Sequence, residues 1–74
     1  MSWTMIERRI PAGTPLGGLG VARVDTWDVR WIWKDESIEF EWMQFIDKPW
    51  DKLSESAMFY YLDKRDAALE KAKP

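Results

Sequence analysis

The clearest pattern in the chain is an alternation in its middle part, which only Ile32 interrupts, of large apolar residues with mostly polar ones. Apolar side chains occupy every second position in two runs, 27–33 and 38–42. A period of two is typical of β-strands that bury one face. Because polar residues separate the two runs, the pattern predicts two antiparallel strands, at 21–34 and 37–46, joined as a hairpin.

One register of this hairpin suits both faces of the sheet. It places Trp31 opposite Phe40 on one face and Arg30 opposite Glu41 on the other. Aromatic pairs and pairs of opposite charge are both favourable between neighbouring strands. The turn lacks the Asn-Gly dipeptide of a tight hairpin, so its type stays open.

The two ends of the chain show other patterns. Residues 3–10 are bulky and β-prone, which predicts a first strand. Residues 11–20 contain all four glycines of the chain and predict a long loop. Residues 52–72 contain neither Gly nor Pro, which predicts a helix whose N-terminal cap is Asp51 or Ser54.

The predicted helix has one apolar stripe with which it can pack on the sheet. The members of this stripe recur at helical spacing: Met58, Tyr61, Leu62, Leu69 and Ala72. We therefore expect an α+β fold, in which a small three-stranded antiparallel β-meander carries one C-terminal helix packed on one sheet face. The whole chain, 1–74, is expected to form a single domain.

The composition excludes several classes of function. The chain contains no His and no Cys, which rules out Ser-His catalysis, thiolate nucleophiles and zinc fingers. The glycine-rich loop lacks the Gly-Lys-Ser/Thr of a P-loop, and the acidic residues match no EF-hand spacing. We therefore expect no enzymatic activity, no cofactor and no metal site.

The aromatic residues, 15% of the chain, are more than so small a core normally takes in, and exposed aromatics favour an interface. Alternation places four of the six Trp on the face expected under the helix. The candidate partner-binding residues are those expected on the opposite face or left without cover: Trp3, Met5, Arg30, Ile32, Met43, Phe45 and Trp50. The sequence thus predicts a non-enzymatic protein-interaction module, such as a small inhibitor or accessory subunit, with homodimerisation as a variant.

The charge of the chain bears on its partners. Eleven basic and thirteen acidic residues give a net charge of -2, and the excess of acid lies in the second half. This balance argues against nucleic acid, although Arg side chains beside Trp leave a single-stranded nucleic-acid binder as a second alternative. No stretch approaches the ~20 apolar residues of a membrane span. We expect no membrane contact and a cytoplasmic location.

A short motif resembles the aromatic-x-Val-basic-Trp run of chromodomains. Residues 27–31 carry it, Trp42 stands near the place of that family's second Trp, and residues 5–8 resemble its first strand. The resemblance implies an aromatic cage in which Trp31 and Trp33 hold a methylated lysine by cation–π attraction. The chain departs from the family pattern after both Trp positions and in the length of the glycine-rich loop. A chromo-like reader of a methylated or basic peptide is therefore the alternative function.

Overall fold

The fold is a three-stranded antiparallel sheet followed by one helix, as the sequence predicts. A computed structural model describes residues 2–74. Strand β1 (Ser2–Ile10), strand β2 (Thr26–Lys34) and strand β3 (Glu39–Ile46) form a sheet in the order β1-β2-β3. Helix α1 (Glu55–Ala72) follows and contacts β3. This arrangement confirms the expected α+β class.

The entry into α1 confirms one of the two predicted caps. Ser54 Oγ accepts a hydrogen bond from the backbone N–H of Ala57 at 3.2 Å, so Ser54 is the cap and α1 starts three residues later than predicted. Asp51 instead lies in a short 3₁₀ turn, Trp50–Lys52. The carboxylate of Glu55 in the first turn suits the positive end of the helix dipole.

The connection from β1 to β2 is longer and more ordered than the predicted loop. Strand β2 begins at Thr26 rather than at residue 21, because residues 11–25 pair with themselves. The N–H of Gly13 donates to the carbonyl of Ala22 at 2.7 Å, and Gly13 has a φ of 90° that favours glycine. Asp25 accepts the N–H of Ala12 at 3.0 Å, and this bond, with help from Arg9, lowers the pKa of Asp25. We call residues 11–25 the glycine-rich excursion.

The hairpin of β2 and β3 has a register two residues away from the predicted one. Trp31 lies opposite Trp42 and not Phe40, and Arg30 lies opposite Met43. Because the shift is even, every side chain keeps its predicted face. The predicted charge pair also persists, since Arg30 Nε reaches the Glu41 carboxylate diagonally at 3.2 Å.

The turn at residues 35–38 sets this register through one carboxylate. Asp35 Oδ1 accepts the backbone N–H groups of Ser37 at 2.8 Å and Ile38 at 3.0 Å. Its other oxygen accepts Trp33 Nε1 at 2.8 Å. These bonds, those from Ser37 foremost, favour the charged form and lower the pKa of Asp35 to about 2.

The Asp35 turn predicts an acid-sensitive contribution to stability. The folded-state pKa is about 2 and the unfolded value is about 3.9, so the stabilisation is complete above about pH 4 and is lost as the pH falls through 2. We expect Asp35→Asn to lower the thermal midpoint at pH 6 and to flatten its decline between pH 4 and pH 2. Circular dichroism melts over this range measure both effects.

The neighbouring substitution Glu36→Gln is the control for a change in net charge within the same turn. Glu36 is exposed and takes no part in the Asp35 network. If the thermal midpoint of Asp35→Asn fell as steeply between pH 4 and pH 2 as that of the wild type, the Asp35 network would not be the source of this pH dependence.

The core lies between the sheet and α1. Val29 is fully buried at its centre, next to Trp31 and Ile46. Half-buried side chains from all three strands and from the chain after β3 surround them: Trp3, Trp27, Trp42, Trp50, Leu53, Tyr61 and Leu62. The sheet therefore has one covered face and one face that no helix covers.

Candidate interaction face

The face of the sheet that points away from α1, here called the open face, carries four of the predicted partner-binding residues. Strand alternation places Arg30 and Ile32 of β2 and Met43 and Phe45 of β3 on it together. Met43 is 45% exposed and Phe45 is 38% exposed. Ile32, Met43 and Phe45 thus form an apolar surface that no helix covers, and Arg30 is the charged residue among the four.

Trp3 and Met5 lie on the other side, and their predicted place on the open face is wrong. Strand β1 pairs with β2 so that Trp3 stands opposite Trp33 and Met5 opposite Trp31. The ring centroids of Trp3 and Trp33 are 5.3 Å apart. The face of β1 depends on its pairing register with β2, which the polar pattern of residues 3–10 does not fix.

Trp50 also belongs to the covered side. Its ring meets Trp31 edge to face with centroids 5.3 Å apart, and Tyr61 of α1 lies on it at 6.3 Å. Its backbone N–H donates to Glu7 of β1 at 2.7 Å, which fixes the chain before α1 against the first strand. Trp50 is therefore a core residue and not an exposed anchor.

Two β1 residues take the places on the open face that sequence reasoning gave to Trp3 and Met5. Ile6 stands opposite Arg30 and is half exposed, and Arg8 stands opposite Asp28. Ile6 is a further apolar side chain on this face, and Arg30 of β2 lies between it and Met43. Arg8 adds a charge beside Asp28, so the open face mixes charged side chains, two of them on the middle strand, with apolar ones on the strands at either side.

A groove of about 590 Å³ runs along one end of the open face. The glycine-rich excursion forms one wall with Leu16 and Leu19, and Met43 and Phe45 form part of the floor. Leu19 is largely exposed although it is apolar. The volume falls within the range of sites that accept a side chain or small ligand.

Asp28 lies in this groove and is the most unusual residue of the open face. It is only 5% exposed. Arg8 donates to its Oδ2 over a long 3.3 Å, and Oδ1 is buried with no hydrogen-bond partner among residues 2–74. Buried polar atoms are nearly always paired in folded proteins. Asp28 therefore lines the groove with a carboxylate that has one buried oxygen lacking a donor among the described residues.

Sequence reasoning missed Asp28 although the chain gives a signal for it. Aspartate is depleted in strand interiors, and Asp28 stands in the middle of β2 between Trp27 and Val29. Leu16 and Leu19 had no such signal, because only the fold of the excursion brings them to the groove.

The aromatic cage implied by the chromodomain resemblance is filled by the chain itself. The guanidinium carbon of Arg65 lies 4.6 Å from the centroid of Trp31 and 4.3 Å from that of Trp3. Trp31 is 7% exposed, and its Nε1 donates to Gln44 Oε1 at 3.0 Å. A ligand cation at Trp31 would have to displace Arg65, so this geometry gives the cage hypothesis no support.

Basic side chains suited to nucleic acid are mostly engaged elsewhere. Arg8, Arg9 and Arg30 each form an ion pair with a carboxylate, at 3.3, 2.7 and 3.2 Å. Each of these pairs neutralises a charge that a phosphate would require. The geometry therefore favours a protein partner over a polyanion.

Comparisons and searches of the chain gave only negative findings. No known protein family, curated protein or solved structure matched it. Within residues 2–74, no group of three or more Asp and Glu side chains is arranged to hold a metal ion. None of the helices in that range has both the length and the apolar character needed to cross a membrane.

Proposed function

We propose that the protein is a non-enzymatic interaction module, such as a small inhibitor or accessory subunit, that docks on a larger protein through the open face. The observation that carries the proposal is the buried, unpaired Oδ1 of Asp28, a residue that lines the same groove as the exposed Met43 and Phe45. A partner that supplies a hydrogen-bond donor there and an apolar side chain to the groove satisfies both features at once.

The charged side chains of the open face support docking of a protein surface. Arg30 and Glu41 pair across the strands, while both remain partly exposed. The pair presents one positive and one negative group side by side, a pattern that favours a partner of matching mixed charge and fixes its orientation. The acidic second half of the chain adds long-range attraction for a basic partner. The cytoplasmic location expected from the sequence stays a prediction.

Introducing positive charge at the exposed apolar residues of β3 tests the proposal. We expect the double substitution Met43→Lys and Phe45→Lys to weaken retention of a bound protein at least about tenfold, because central interface anchors each contribute about 1–2 kcal/mol or more. Tagged protein is incubated with extract of its host, the retained protein is identified and purified, and its Kd is measured by calorimetry. Circular dichroism checks that the variant is folded.

The matched control is Phe59→Lys on α1, which also replaces an exposed aromatic residue but lies away from the open face. This variant should keep the Kd of the wild type. Equal losses in both variants, or no loss in the open-face variant, would contradict docking at this face. Sedimentation of the protein alone decides whether the partner is a second copy, which remains a variant of the same proposal.

A further inference from the structure

The outer edge of β3 faces no strand in the described sheet, and a cleft runs beside it. The sheet order β1-β2-β3 gives β3 one hydrogen-bonded neighbour, β2. The cleft measures about 560 Å³ and lies between β3 and α1. Phe40 and Trp42 form its floor, with rings stacked at 17° and 6.5 Å. Small alanines of α1 form the opposite wall, which keeps the cleft open.

The backbone of β3 offers a row of unpaired groups to this edge. Asp35 N–H donates to the Ile38 carbonyl at 3.0 Å, which makes residues 35 and 38 a hydrogen-bonded pair. Hydrogen-bonded and non-hydrogen-bonded pairs alternate along an antiparallel ladder. The N–H and C=O groups of Glu39, Glu41 and Met43 therefore point away from β2, where an added strand can bind them.

The side chains of the cleft call for a negatively charged, hydrogen-bond-accepting occupant. Trp42 Nε1 is buried and has no acceptor among residues 2–74. Lys64 and Lys71 line the cleft, and neither forms an ion pair within those residues. A donor without an acceptor and two ammonium groups without an anion all favour the same kind of ligand.

We propose that the edge of β3 and the cleft beside α1 bind an extended peptide segment that adds a fourth strand to the sheet. Addition of a strand supplies partners to the free backbone groups of β3, and pockets for alternate side chains supply selectivity. Every second side chain of the peptide enters the cleft over Phe40 and Trp42. These positions take aliphatic or carboxylate side chains, and the carboxylates meet Lys64 and Lys71.

The other side chains of the added strand lie on the open-face side, beside Glu39 and Glu41. Opposite charges on neighbouring strands are favourable and like charges are not. Lysine or arginine is therefore preferred at these intervening positions. The preferred segment alternates acidic or aliphatic residues with basic ones. This specificity is independent of the groove at Asp28.

The probe is a blocked peptide of about eight residues that alternates Glu or Val with Lys. We expect saturable shifts of the Trp42 indole N–H and of the β3 backbone amides in ¹⁵N-resolved NMR titrations. A second probe has the same side chains but N-methyl groups on alternate backbone nitrogens, which blocks strand addition. This probe should bind at least about tenfold more weakly, because main-chain hydrogen bonds give most of the affinity in this mode.

Variants of the protein separate the backbone from the charges. Glu41→Pro removes an outward N–H that the β2 ladder does not use, and Pro is tolerated on edge strands. It should abolish the shifts, whereas Glu41→Gln should retain them. The combined substitution Lys64→Gln and Lys71→Gln should weaken binding about tenfold in low salt, since exposed ion pairs each contribute a few-fold.

Three results would overturn the proposal. The first is equal affinity for the N-methylated probe, which would exclude strand addition. The second is equal affinity for a peptide in which Lys replaces every Glu, which would show that Lys64 and Lys71 do not select acidic side chains. The third is an absence of NMR shifts when the folded wild-type protein is titrated with millimolar probe. Self-association through the β3 edge, detected by sedimentation, would show that a second copy is the occupant instead.

Discussion

Replacement of Trp31 by alanine is expected to leave about half of the protein or more unfolded at 25 °C. Truncation of a buried Trp or Phe to Ala costs about 3–5 kcal/mol. A single core in a chain of this size rarely supplies more than about 3–5 kcal/mol in total. The loss therefore matches the whole free energy of unfolding. Urea denaturation followed by circular dichroism measures it, and the variant should lack a native baseline.

The contacts of Trp31 explain the size of this effect. Its ring touches Trp3 and Trp50 edge to face and carries the guanidinium of Arg65 on its surface. Its Nε1 also donates to Gln44, whose amide in turn donates to the carbonyl of Tyr61 in α1. A single side chain thus joins β1, β3 and the helix.

Two variants separate the packing of Trp31 from its hydrogen bond. Trp31→Phe keeps most of the ring but leaves Gln44 Oε1 buried without a donor, so we expect a loss of about 1–3 kcal/mol. Tyr60→Ala removes an exposed aromatic residue of α1 and should change stability by no more than about 0.5 kcal/mol. If Trp31→Ala lowered the free energy of unfolding no more than Tyr60→Ala, the contacts of Trp31 would not hold the core together.

Asp28→Val is expected to act in opposite directions on stability and on binding. Valine removes a buried carboxylate with one unpaired oxygen and fits a strand interior. Arg8 stays solvated without its partner, because its side chain is 71% exposed. We therefore expect the free energy of unfolding to rise by about 1–2 kcal/mol. The Kd for the partner captured through the open face should rise at least about tenfold.

Glu39→Val is the matched control, since it also places valine at a carboxylate position on the open-face side of a strand. Glu39→Val measures how much the higher strand propensity of valine alone raises the free energy of unfolding. Asp28→Val should raise that free energy by more. Urea denaturation and calorimetry give the two quantities. If Asp28→Val were destabilising, Asp28 would have a structural role, and the proposed contact of its Oδ1 with a partner would lose its basis.

Much of the fold follows from the sequence because alternation is a strong constraint. The two faces of the β2–β3 hairpin were predictable, because a shift of the register by two residues leaves every side chain on the same face. The register itself was not, because it depends on how Asp35 binds the N–H groups of Ser37 and Ile38 within the turn. Turn chemistry of this kind is visible only once the turn length is known.

The candidate site was less predictable than the fold. Arg30, Ile32, Met43 and Phe45 belong to the strongly patterned hairpin, and their common face could be read from the chain. Trp3, Met5 and Trp50 could not be placed, because a first strand and a connecting segment take their orientation from long-range contacts.

Arg65 shows the same limit in the helix. A charged residue is expected to face solvent, yet the planar guanidinium of Arg65 packs on the rings of Trp3 and Trp31 on the covered side of the sheet.

The Asp35 turn also has a consequence for the order of events during refolding. Only four residues connect β2 to β3, whereas the fifteen-residue excursion separates β1 from β2. Closing a longer loop costs more chain entropy, and isolated hairpins form within about 1–10 μs. The β2–β3 hairpin is therefore expected to nucleate folding, with β1 and α1 condensing on it later. Until they do, the indole rings of the hairpin face water, and a nascent chain in this state is most prone to associate with its neighbours.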